Sequence, residues 1–183
     1  GSGIGASLAR ACGHEGMKVV VADIEGDKAE GVAQTMRDVG MQAVAQSVDV
    51  RQHDEVQALA DRAFAEFDGC HLLCNNAGVM INRPLIETEE KDWQWILSVN
   101  LWGVIHAIEV FLPRMKAQRV DCHVVNTASI AGLINLGTMG LGAYSTTKAA
   151  VVMLSEFLRA ELEVEGVPIG VSVLCPGAVA TRI

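Results

Sequence analysis

Short apolar runs alternate with longer amphipathic segments from one end of the chain to the other, and few architectures tolerate that alternation. A short apolar run satisfies its backbone best as a buried strand, and the amphipathic stretch after it must lay its apolar face on the sheet. The pattern therefore predicts an α/β fold, a doubly wound parallel sheet with helices on both faces in three layers. Lys18–Ala22, Ala43–Val48, Leu72–Cys74, His123–Thr127 and Gly170–Leu174 read as strands, while apolar spacing makes Asp27–Val39, Gln52–Phe67, Glu89–Lys116 and Ala143–Glu163 helices. At the start, the glycine-rich segment Gly1–Gly5 reads as a turn running straight into a helical stretch Ala6–Gly16. No strand precedes that turn, and the chain stops at Ile183 just after Pro176-Gly177. The expectation is one domain over 1–183, truncated at both ends.

Charge narrows the partners. A formal net charge of −8 and the lack of any Lys/Arg cluster oppose binding to a phosphate backbone, so no nucleic-acid partner is expected. Polar residues interrupt the apolar stretches before they reach the ~20 residues that span a bilayer, which predicts no membrane segment. Cys12, Cys70, Cys74, Cys122 and Cys175 are odd in number and scattered, so they read as reduced thiols rather than a disulfide framework. The five histidines, His14, His53, His71, His106 and His123, lack ligand spacing, and no metal is expected. These features together fit a cytoplasmic enzyme.

Three successive strand ends carry small or polar residues, which is where ligands bind in doubly wound sheets. Gly1-Ser2-Gly3-Ile4-Gly5 lets the backbone approach a pyrophosphate closely, and the helix behind it offers free amides and a favourable dipole. Asp23 ends the apolar strand Lys18–Ala22, where a carboxylate accepts hydrogen bonds from an adenosine ribose and repels a 2′-phosphate. That favours NAD over NADP. Helix capping is the plain alternative for Asp23. Asp49-Val50 and Asn75-Asn76-Ala77-Gly78 follow the next two strands; Ala77 and Gly78 are small enough for adenosine to lie on the backbone, and the Asn76 amide can tie neighbouring strands together. Both segments also suit ordinary turns.

Tyr144 is the only tyrosine, and Lys148 stands four residues on, which puts the two on one face of a helix. An adjacent ammonium stabilises a phenolate and lowers a phenol from its usual value near ~10 by about 1–3 units. Tyr144 would then exchange a proton with a substrate hydroxyl near neutral pH. Ser129, beyond the strand ending at Thr127, is placed to hold the substrate oxygen. Asn100 is a polar residue in an apolar helical stretch, where it must find partners; a water held near Lys148 is one solution and plain structural bonding another.

The ordered set Ser-Gly-Ile-Gly (2–5), Asp23, Asp49, Asn-Asn-Ala-Gly (75–78), Asn100, Ser129, Tyr-Ser-Thr-Thr-Lys (144–148) and Pro-Gly (176–177) resembles a short-chain dehydrogenase/reductase of the classical type. The resemblance implies a Rossmann-type sheet, a nicotinamide cofactor and an Asn100, Ser129, Tyr144, Lys148 tetrad. It also implies that Lys148 binds the nicotinamide ribose, that Pro176 and Gly177 shape the nicotinamide pocket, and that Thr181 contacts the carboxamide. The activity implied is interconversion of a secondary alcohol and a ketone. The segment between Ser129 and Tyr144 is longer than the family's, with Gly137, Gly140 and Gly142 placed to change the substrate-side wall. Competing readings are a non-catalytic NAD-binding or sensing protein, an inactive fragment of the dehydrogenase, a nucleotide-sugar epimerase and a methyltransferase. Asn75–Gly78 disfavours the epimerase, and Tyr144 with Lys148 disfavours the methyltransferase. Trp93, Trp95, Trp102 and Phe111 load one long helix with more aromatic area than one core face needs, which predicts a homodimer or homotetramer.

Overall fold

The computed structural model describes residues 1–135, 137 and 140–180. The chain divides into two compact units, Gly1–Gly69 and Cys70–Val179. The first contains α1 (Gly3–His14), β1 (Val19–Asp23), α2 (Gly26–Asp38), β2 (Ala43–Ser47) and α3 (His53–Phe67). β1 and β2 pair in parallel from Val19 opposite Ala43 to Asp23 opposite Ser47. Ala6 and Ala9 of α1 and Ala29, Val32, Ala33 and Met36 of α2 form a core with Val21 and Ala43. The alanines matter because small side chains let helix backbones come close. Gly1 is tighter still, since a Cβ there would stand 2.8 Å from the backbone of Lys28 and Ala29.

α1 begins inside the glycine segment rather than after it. Ser2 is extended (φ −150°) and acts as the N-cap position, and its carbonyl accepts the first helical bond from Ala6 N at 3.1 Å. The low helix propensity of glycine suggests a turn there, but the cap decides the start.

The second unit contains β3 (Leu72–Asn75), α4 (Glu90–Leu97), a π turn (Ser98–Trp102), α5 (Gly103–Gln118), β4 (Cys122–Thr127), a 3-10 turn (Ile130–Gly132), α6 (Gly142–Glu165) and β5 (Ile169–Leu174). The sheet runs β3-β4-β5, all parallel, with Asn75 opposite Asn126 and Thr127 opposite Leu174. All three carboxyl ends therefore open on one edge. α4 is capped by the Asp92 carboxylate, which accepts from Glu89 N at 3.1 Å. α6 buries Tyr144, Thr147, Lys148, Val151 and Ser155 on one stripe, so its polar residues share the core-facing side with its valines. Gly166 ends it at φ +68°, a backbone region costly for residues with a Cβ.

Two expectations about the long helix change. The helical stretch Glu90–Gln118 is long and apolar enough to cross a membrane by length and composition, contrary to the sequence reading. It carries a buried Asn100 in its π turn and buries Val104, Ala107, Val110, Phe111 and Met115. Such a burial pattern is that of a core helix. Phe111 is only 3% exposed and so contributes nothing to an exposed aromatic face, whereas Trp95 and Trp102 are 40% and 50% exposed.

Candidate active site

The catalytic candidates gather beyond the carboxyl ends of β3, β4 and β5. Ser129 follows β4, and the chain is steered there by backbone bonds to the strand beside it, Ala128 N to Leu174 O (2.8 Å) and Ile130 N to Pro176 O (3.0 Å). Pro176 and Gly177 thus lie alongside the Ser129 segment. Ser129 also caps the 3-10 turn, its hydroxyl accepting from Ala131 N at 3.2 Å. Gly132 lets that turn settle on α6: a Cβ would fall 2.6 Å from the carbonyl carbon of Lys148.

Tyr144 and Lys148 stand one helical turn apart on the buried face of α6, with the Lys148 ammonium 5.7 Å from the centre of the phenol ring. The Ser129 side chain favours the ionised phenol of Tyr144, but burial is the larger influence and pushes the phenol above its ordinary value. The expected lowering of the phenol by the ammonium is therefore not found. The geometry supplies the reason. Lys148 Nζ donates to the Thr127 carbonyl at 2.9 Å, and with the side chain only 2% exposed, burial pulls the ammonium down to about 8.

Asn100 is fully buried in the π turn, a distortion that inserts one extra residue into a helix. Its Oδ1 accepts from Val79 N at 2.8 Å, and its Nδ2 donates to Val79 O at 2.9 Å and to Thr147 Oγ1 at 3.0 Å. Both amide protons are thereby used. The side chain is a brace between the segment after Gly78 and α6. Asn76 ties neighbouring strands as expected, its Oδ1 accepting from Thr127 Oγ1 at 3.3 Å.

Several participants escape the sequence reading. Asn126 of β4 is fully buried, accepts from Asn75 Nδ2 at 2.8 Å and donates to Ser155 Oγ at 2.9 Å, and Ser155 passes the chain to Val151 O at 2.7 Å. Thr147 bridges Asn100 to Tyr144 O, to which it donates at 2.8 Å. The available signal was the polar residues standing at positions 147 and 155 of an otherwise apolar helical stripe. The Thr127 carbonyl gives no signal, because every residue has one.

In the first unit, Gly3, Ile4 and Gly5 contribute the amides that precede the first helical bond of α1. Asp23 does not cap α2, whose N-cap position is Glu25. Its carboxylate accepts from Glu25 N at 2.9 Å, a bond that favours the ionised form while burial opposes it. Asp49 is clasped by the Arg51 side chain, with Nη2 to Oδ2 at 2.6 Å, which lowers it too. Val50 follows, half-buried. Thr181 lies outside the described residues.

In the segment after Ser129, position 140 requires glycine. Gly140 has φ +69°, its carbonyl accepts from Arg83 N at 2.9 Å, and a Cβ would clash with the Arg83 backbone at 2.5 Å. A cavity of about 430 Å³ lies among Leu85, Gly132, Leu133, Ile134, Ser145 and Ala149. It opens on a side of α6 adjacent to the Tyr144 face, and none of the four catalytic candidates lines it. All five cysteines are free thiols, and burial pushes Cys70 up to about 12.

Comparison with known proteins extends these findings. The family model for short chain dehydrogenase matches residues 1–183. A crystal structure of a short chain dehydrogenase/reductase from Burkholderia phymatum in complex with NAD is 42% identical with a TM-score of 0.95, covering 100% of this chain and 64% of that one. The 1-deoxy-11-beta-hydroxypentalenate dehydrogenase of Streptomyces avermitilis is 35% identical over 98% of this chain and 66% of its own length. A CLA biosynthesis dehydrogenase/reductase of Lactiplantibacillus plantarum is 31% identical over 99% of this chain and 63% of its own length. The chain spans just under two thirds of these relatives. The superposition and the parallel, helix-flanked strands agree with the Rossmann-type three-layer α/β/α fold expected from the sequence. With the family model matching from end to end, the chain belongs to the short-chain dehydrogenase/reductase family.

Proposed function

We propose that this chain carries the machinery of an NAD-dependent oxidoreductase that interconverts a secondary alcohol and a ketone, with Tyr144 as general acid and base. The observation that carries the reading is the grouping of Ser129, Tyr144 and Lys148, a buried phenol whose ionised form Ser129 favours, with a buried ammonium 5.7 Å from its ring. A relative named for a hydroxylated substrate agrees with it.

The residues present fit a dinucleotide. In the first unit, the unbonded first-turn amides of Gly3, Ile4 and Gly5 behind Ser2 suit a pyrophosphate. Asp23, ionised and partly exposed, suits ribose hydroxyls and disfavours the 2′-phosphate of NADP, and Asp49 with Val50 would border the adenosine. In the second unit, Asn76, Ala77, Gly78, Tyr144, Lys148, Pro176 and Gly177 would supply further contacts, joined by Thr181. When bound, the cofactor accepts or delivers the hydride. The chain's own residues manage the proton. In reduction the neutral phenol of Tyr144, favoured by its burial, donates to the carbonyl oxygen while Ser129 holds that oxygen; in oxidation the same phenol must first lose its proton, which the Ser129 side chain favours, while Lys148, its ammonium bonded to the Thr127 carbonyl, would hold the nicotinamide ribose.

The exposed Trp95 and Trp102 support a homodimer or homotetramer, and the net charge of −8 disfavours nucleic-acid partners; the reading is of a cytoplasmic protein acting on a small-molecule alcohol or ketone. NADH formation from a panel of secondary alcohols tests the reading. Tyr144→Phe should abolish turnover while sparing NAD binding, and wild-type turnover by that variant would overturn the mechanism.

A further inference from the structure

Thr147 lies between Tyr144 and Lys148 in sequence and is fully buried, yet a buried hydroxyl on an apolar helix stripe brings a desolvation cost that needs a reason. Its Oγ1 makes two hydrogen bonds. It donates to the Tyr144 carbonyl at 2.8 Å and accepts from Asn100 Nδ2 at 3.0 Å. The first bond alone is common for a helical threonine, which satisfies itself on the preceding turn. The second is long-range: it fastens the π turn, itself locked to Val79 by two further bonds of Asn100, to the backbone of the residue that carries the phenol.

We propose that Thr147 is a positioning residue for Tyr144, holding the helix backbone at that point against the π turn so that the phenol meets Ser129. The proposal rests on the oxidoreductase reading for its catalytic consequence but not for its geometry. The β-branch restricts the side chain to few rotamers, so the hydroxyl is aimed by local sterics before any partner is added. Losing the hydroxyl leaves one amide proton of a fully buried Asn100 without an acceptor, and the π turn must shift to find another. Tyr144 then loses its tether to the turn, and the approach of the phenol to Ser129 becomes misaligned. Because Asn100 touches α6 through this hydroxyl, its influence on Tyr144 passes through Thr147.

The test compares Thr147→Val, which keeps the shape and removes the hydroxyl, with Thr147→Ser, which keeps the hydroxyl. Tyrosine labelled with carbon-13 at the hydroxyl-bearing carbon gives a Tyr144 resonance, assigned by its loss in Tyr144→Phe, that reports the phenol hydrogen bond without any need for turnover. The valine variant should shift that resonance and the serine variant should restore it. In turnover, kcat should fall about tenfold in the valine variant with KM for NAD unchanged, as expected for slight misplacement of a reacting group. A folded valine variant with an unmoved Tyr144 resonance would overturn the inference. Wild-type protein that shows the shift pattern but oxidises no alcohol would instead count against the oxidoreductase reading alone. Should the valine variant not fold, Asn100→Asp, which keeps an acceptor toward Val79 but cannot donate to Thr147 when ionised, must move the same resonance or the inference fails.

Discussion

The contact of Gly132 with α6 makes the sharpest prediction. In Gly132→Ala the new methyl would lie 2.6 Å from the Lys148 carbonyl carbon and 2.8 Å from Ala149 N and Lys148 O, all backbone atoms of a long packed helix. Carbon contacts are comfortable only from about 3.5 Å, so the 3-10 turn must retreat by about 0.9 Å. Ser129 moves with it, because its hydroxyl is bonded to Ala131 N inside the same turn. Overpacking of this kind costs about 1–3 kcal/mol, which in a chain of this size lowers Tm by about 2–12 °C. A misplacement approaching ~1 Å at the group that orients the substrate oxygen can cost up to ~100-fold in rate. The assay is NADH formation beside a thermal melt, with Gly31→Ala as control, since a Cβ on Gly31 meets nothing within 4 Å and alanine should strengthen α2 there. If Gly132→Ala matched wild type in both kcat/KM and Tm, the close packing of the turn on Lys148 would not be what positions Ser129.

Further outcomes can be checked. Asn126→Leu should destabilise the protein by about 1–3 kcal/mol in urea titration, because it takes the acceptor from the half-buried Asn75 amide and the donor from the buried Ser155 hydroxyl; a change within error would show that water or rotation replaces both bonds. Alcohol oxidation should rise with pH through the neutral range, since a raised phenol gives little base at pH 7, while carbonyl reduction should stay flat there; a parallel profile in both directions would contradict the role of Tyr144. Lys148 titrates at about 8 when folded and near ~10.4 when unfolded, so the unfolded chain binds the extra proton between those values and stability from this residue increases as pH rises across that window. Lys148→Met should lack that increase in thermal melts, and an identical pH dependence would place the burial effect elsewhere.

What the sequence revealed and what it hid follow from the range of the signals. Strands such as Leu72–Asn75 and Ile169–Leu174 are short apolar runs, and helices such as Gly26–Asp38 carry their core face at regular spacing, so both were legible to within a residue or two. Tyr144 and Lys148 were legible because one helical turn separates them. The π turn at Asn100 was not, since a single inserted residue barely disturbs a periodicity averaged over a long helix. The phenol's ionisation was misjudged for a different reason. Sequence places the ammonium near the ring but says nothing of the depth of burial or of the carbonyl that captures the ammonium.

That capture has an evolutionary side. The acceptor for Lys148 is a peptide oxygen, present whatever amino acid occupies position 127, so no point substitution there can delete it. Mutation can reach the lysine's anchorage only by sliding β4 in register, and a one-residue slip would turn every side chain of that strand to the opposite face of the sheet. Drift in the code at codon 127 is thus blunted by the backbone, and the lysine's resting place is inherited with the fold.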